Sequence, residues 1–141
     1  MKSGDYVIIK MVKDGEITTL FFLPDRLRLK INYTVRCYEK DGYSFLVEAH
    51  VDRETYLNEK LNDKVRKYCE ADKQEQYIRE QYRQNLITSD MFYDAISFCQ
   101  NDKWVMLRLI ERLIRKCAKE DLDVYNEIAI QLVDQYRQAI V

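Results

Sequence analysis

Glycine and proline are scarce: three and one in 141 residues. That scarcity excludes collagen-like and low-complexity chains. Glycines at 4, 15 and 42 cannot line a phosphate-cradling loop, and no Gly-x-Gly or Gly-Lys-Ser/Thr motif occurs. Histidine appears once, at His50, so the commonest general base near neutral pH has one possible seat, read here as the exposed end of a strand. No serine or cysteine stands in a nucleophile setting; Ser44, Ser89 and Ser97 read as turn, cap and helix-surface residues. The expectation is a protein that is not an enzyme.

Close cysteine pairs are also missing. Cys37, Cys69, Cys99 and Cys117 are too far apart for a zinc-ligand pair and fit reduced thiols in a cytoplasmic protein; Cys37, Cys99 and Cys117 fall on apolar stripes. Asp121-Leu122-Asp123 lacks the glycine and the closing glutamate of a calcium loop. No metal and no cofactor are expected. The longest strongly apolar run, Leu20-Phe21-Phe22-Leu23, is far short of the ~20 residues of a membrane helix, so no membrane association is expected. The opening Met1-Lys2-Ser3-Gly4-Asp5 turns acidic at once, and no export signal is expected. An excess of one charge is absent as well. Lys plus Arg is 23 against 24 acidic residues, so bulk charge does not point to nucleic acid.

What is present is a change of rhythm near Val51. Before it the period is two. Asp5–Lys13 reads as a strand, Asp14-Gly15 as a tight turn and Glu16–Leu23 as the partner strand. Pro24-Asp25 interrupts the chain. Leu27, Leu29, Ile31, Tyr33, Val35 and Cys37 then alternate with Arg26, Arg28, Lys30, Asn32, Thr34 and Arg36, the pattern of a strand with one dry and one wet face. A three-residue Lys40-Asp41-Gly42 loop sets Cys37, Val35 and Tyr33 opposite Phe45, Val47 and Ala49 in the next strand.

After Val51 the period is helical. Asp52 caps a helix with Leu57, Leu61, Val65 and Tyr68 on one stripe. An unbroken helix to Leu86 would span ~50 Å, against a diameter of ~37 Å for a compact chain of this length. Asp72 and Glu75 also interrupt the stripe, so a kink is expected at 71–75. Three more helices are expected: from Ser89-Asp90, with Met91, Phe92, Ala95, Ile96 and Cys99 on one side; from Asn101-Asp102, with Met106, Leu107, Ile110, Leu113, Ile114 and Cys117; and from Asp121, with Tyr125, Ile128, Ala129, Leu132, Val133, Tyr136 and Ile140. The resulting expectation is one α+β domain over residues 1–141. An antiparallel meander of about five strands (1–51) has its apolar face covered by four to five helices (52–141).

Two basic surfaces are candidates for binding. Arg108, Arg112, Arg115 and Lys119 project within about 60° of one another, opposite the apolar stripe, with Trp104 one turn earlier and able to stack on Arg108. Arginine and tryptophan dominate interface hot spots. An ordinary solvated face carries such charges too, with Glu111 available for local pairing. The second surface is the wet strand face of Arg26, Arg28, Lys30, Arg36 and Tyr38, whose cations at roughly 6.8 Å spacing match a single-strand phosphate repeat. Tyrosine is abundant, at 11 residues. Tyr33, Tyr68, Tyr125 and Tyr136 are expected at the core or its rim, and any left at the surface suit recognition. The functional expectation is a cytoplasmic interaction protein that docks a protein partner through either basic face, with homodimerisation open. Nucleic-acid binding by the second face is the alternative.

Overall fold

The computed structural model describes residues 5–139. The expectations for Met1–Gly4 and for Ile140 fall outside them. The elements are β1 (Tyr6–Lys13), β2 (Glu16–Phe22), α1 (Arg28–Lys40), β3 (Ser44–Val51), α2 (Arg53–Arg83), α3 (Ser89–Lys119) and α4 (Glu127–Ala139). The α+β class stands: among the described residues there are three strands in place of about five, and four helices, of which three follow Val51 where four to five were expected. Backbone contacts gather into two compact units, one ending at Glu59 and one beginning at Lys60, a boundary that falls inside α2.

The first unit is an antiparallel sheet ordered β2-β1-β3. The expected hairpin is there: Lys13 pairs with Glu16 across Asp14 and Gly15, both with positive φ (52° and 80°), as a two-residue turn matched to strand twist requires. Val7, Ile9 and Met11 point to one face and form a core with Phe22 and Ile31. On the other face the Tyr6 ring lies 4.7 Å from that of Tyr56, and Phe21 meets Tyr56 edge-on at 5.8 Å. Arg53 donates to the Tyr6 hydroxyl at 2.6 Å.

The segment expected as the third strand is α1. Its alternation hides a helical stripe: Ile31, Val35 and Tyr38, at i, i+4 and i+7, are the residues that pack on the sheet. Leu29 is left 80% exposed and Tyr33 70% exposed, which overturns their assignment to the dry face, while Ile31 and Val35 keep theirs. Cys37 is exposed as well. Lys40-Asp41-Gly42 is correspondingly a helix end and not a hairpin loop. Gly42 donates to the Glu39 carbonyl and Tyr43 to the Tyr38 carbonyl, with Gly42 at φ +97°, a Schellman cap. β3 therefore pairs with β1, setting Phe45 against Met11, Val47 against Lys10 and Ala49 against Ile8, with Leu46 bulged out of the ladder.

Most residues of the helical stripes read from the sequence are buried or half-buried, but Met91, Tyr125 and Ile128, expected on those stripes, are exposed, and the breaks expected at 71–75 and before Asn101 are absent. Asp52 caps α2 by accepting from the Thr55 amide. α2 then runs unbroken for 31 residues, about 46 Å at 1.5 Å per residue. Asp72 and Glu75 interrupt its stripe because Lys103 of α3 meets them, Nζ lying 2.7 Å from Asp72 Oδ1 and 3.9 Å from Glu75 Oε1. Asn101-Asp102 does not start a helix: α3 is continuous from Ser89 to Lys119, and the pair lies inside it. Its cap is Thr88, whose hydroxyl accepts from the Met91 amide, and not Ser89-Asp90. Asp121 does not start α4. At φ +56° it closes α3, donating to the Ala118 carbonyl while Leu122 donates to Cys117. Asn126 supplies the α4 cap through the Ala129 amide. Leu61, Val65, Ile110, Ala129 and Val133 form one core here, and Ile78, Ile96 and Cys99 another.

Candidate functional site

α3 buries Ile96, Cys99, Ile110 and Cys117 along one side, and helical rotation of about 100° per residue carries Arg108, Arg112, Arg115 and Lys119 to the opposite side. All four are exposed, as the sequence predicts. Trp104 is 45% exposed, and its partner differs from the one expected: the indole meets the Tyr136 ring of α4 edge-on at 5.2 Å. Arg115 donates to the carboxylate of buried Glu111 at 2.6 Å, and Arg137 of α4 approaches the same oxygen at 3.4 Å. The Arg115 guanidinium is thus held in place, while Arg108, Arg112 and Lys119 extend along the same water-facing side.

Sequence reasoning missed the rest of that side. Phe98 is 74% exposed, Val105 40%, and Met91 is exposed one heptad before Phe98. Asp90, Asp94, Ser97 and Asn101 are exposed between them. Asp94, Ser97, Phe98 and Asn101 line a shallow hollow of about 280 Å³. The seven-residue recurrence of Met91, Phe98 and Val105 was the available signal, masked by the reading of two separate helices. The outer side of α3 is therefore acidic and apolar in its first half and basic in its second.

The other basic surface does not assemble as expected. Arg28, Lys30, Arg36 and Tyr38 lie on α1, where rotation spreads them around the helix, and Arg26 lies in the turn before it. Tyr38 packs at the rim of the sheet core, its ring 5.2 Å from Tyr43. Arg28 holds Glu48 of β3 with two hydrogen bonds of 2.7 and 2.8 Å. Arg26 and Lys30 border a hollow shared with Asp25. The strand spacing that suggested a phosphate ladder is absent.

His50 is exposed in β3, its Nε2 2.7 Å from Glu48 Oε2. The Arg28 hydrogen bonds, with a smaller contribution from His50, hold the Glu48 carboxyl below the usual carboxylate range. Among the described residues no group of three or more His, Cys, Asp or Glu side chains is placed to hold a metal ion. Nor is any helix long and apolar enough to cross a membrane. The four cysteines are free thiols; burial, then the nearby Glu75 and Asp102 carboxylates, pushes the Cys99 thiol up. No protein-family model, curated protein or solved structure matches the chain.

Proposed function

We propose that this chain is a non-enzymatic, cytoplasmic binding protein that docks an acidic protein surface through the outer side of α3. Trp104 and Val105 provide apolar anchors, and Arg108, Arg112, Arg115 and Lys119 provide the electrostatic complement. The observation that carries the reading is their juxtaposition: an indole and a valine stand in water directly beside a run of cations, all opposite the buried stripe. Partly exposed aromatics lose water on docking, and arginine forks pair with carboxylates in two directions at once. Rim charges steer encounter and raise the on-rate, so association should weaken with added salt. Pinning of Arg115 by Glu111 lowers the ordering cost at that position.

The test is a pulldown with the full chain as bait, run beside a Trp104→Ala, Arg112→Glu variant whose helical circular dichroism matches the parent. The variant is expected to lose acidic partners that the parent holds at low salt and releases at high salt. A variant that retains every partner overturns the reading.

A further inference from the structure

We infer that the acidic surface received by α3 is α3 of a second copy of this chain, lying antiparallel across a two-fold axis at Asn101. This rests on the docking reading above and names the partner of its Trp104-to-Arg112 part. The charge along the exposed side reverses sign at Asn101, with Asp90 and Asp94 before it and Arg108 and Arg112 after it. In an antiparallel pair centred on Asn101, residues equally distant from it on either side come opposite one another. Asp94 then meets the second copy's Arg108, about two turns from the axis, and Asp90 meets its Arg112, about three turns away. Every such pair occurs twice by symmetry, and all are of opposite sign. A parallel pair in the same register would set aspartate on aspartate and arginine on arginine.

The apolar groups obey the same symmetry. Asp94, Ser97, Phe98 and Asn101 stand at i, i+3, i+4 and i+7, the four corners of a knobs-into-holes socket, and they enclose the hollow of about 280 Å³. The two-fold carries the second copy's Val105 over that socket and alongside Phe98, covering the most exposed aromatic of α3. Because α3 begins at Ser89, the overlap ends before Arg115 and Lys119, which stay in solvent.

The experiment is sedimentation equilibrium of the full chain over a concentration series. The parent is expected at twice the chain mass. Asp94→Arg and Arg108→Asp, each alone, are expected to weaken association at least ~10-fold by setting like charges face to face. Mixed in equal amounts, the two variants are expected to recover the dimer, since the introduced cation then meets the introduced carboxylate. Circular dichroism confirms that each variant is folded. A parent that is monomeric throughout, or a dimer indifferent to both swaps, overturns the inference. If the parent is monomeric and Trp104→Ala, Arg112→Glu still costs acidic partners, self-association alone falls and the docking reading stands. If the swaps behave as expected while the pulldown variant keeps every other partner, α3 serves only its own copy.

Discussion

The two units keep their charges in different places. In the first, β1 is buried on both faces by apolar and aromatic groups, and the Arg28–Glu48–His50 cluster lies at the exposed rim. In the second, ions are set into the packing itself. Lys103 of α3 reaches Asp72 and Glu75 of α2, and Arg137 of α4 reaches buried Glu111 of α3, while Arg115 on Glu111 and Arg66 and Lys67 on buried Asp63 are pairs within one helix. The difference follows from what holds neighbouring elements in register. Strands are fixed residue by residue through backbone hydrogen bonds, and a slip of one residue turns every side chain over. Helices share no backbone bonds with one another, so an apolar stripe alone permits sliding by a turn. A charge at one level, answered at that level only, removes the alternatives.

The largest effects should come from the two cores. Ile9→Ala in the sheet and Ile110→Ala in α3 each delete a fully buried side chain and should lower stability by about 2–5 kcal/mol in urea denaturation. If the chain is one cooperative domain, as expected from its sequence, both substitutions move a single transition; two transitions, each answering to one substitution, would divide it. The next test bears on charge placement. Lys103→Met takes from Asp72 and Glu75 their partner on α3, leaving them Gln76 and Arg79 of their own helix, and should cost about 0.5–1.5 kcal/mol, part of it recovered by adding Asp72→Leu. Arg28→Met at the rim should hardly move the midpoint, and equal losses at the two sites would erase the contrast.

Gly42→Ala should cost about 1–2 kcal/mol, because its φ of +97° is left-handed while the added carbon meets only the tip of Lys13 at 3.4 Å. The strain lies in the backbone, and guanidinium denaturation should read it directly. The smallest effect is on acid sensitivity. Glu48 and Asp63 are both held below the usual carboxylate range: Glu48 by Arg28 and then His50, Asp63 by Arg66, Lys67 and Lys64 against the opposing effect of its burial. A lowered folded-state pKa stabilises above the unfolded value, about 3.9 for Asp and 4.3 for Glu, and that contribution is lost as pH falls through the folded value. Melting temperature should therefore fall less steeply below pH ~4 in Asp63→Asn and Glu48→Gln than in the parent.

Much of the second unit was legible because 3.6-residue spacing and burial coincide there: Leu61 and Val65 of α2 and Ile110 and Cys117 of α3 are all buried. The exposed stripe from Arg108 to Lys119 followed by subtraction. The unit's element boundaries were not legible, because Asp72 and Glu75 look like a break until Lys103 of the neighbouring helix is seen to meet them, and Asn101-Asp102 looks like a helix start although it lies inside α3. In the first unit, Ile31, Val35 and Tyr38 satisfy a helix while Leu27 to Cys37 satisfy a strand, and the two patterns share residues. The usual arbiters were silent: α1 has Leu27 at its N-cap with no side-chain cap bond and no acidic residue in its first turn. Asp41-Gly42 marks a left-handed backbone equally well at a hairpin and at a helix end. The Asp90–Asp94 half of the α3 face was hidden because the sequence reading stopped one helix at Cys99 and began another at Asn101.

The tryptophan of α3 has an optical consequence. It is the only one among 141 residues that include 11 tyrosines. Excitation at the red edge of the absorption band therefore isolates one ring, half in water and touching Tyr136. A blue shift of its emission on mixing with a partner reports cover arriving over α3, and a red shift on dilution reports its removal, with no label attached to the protein.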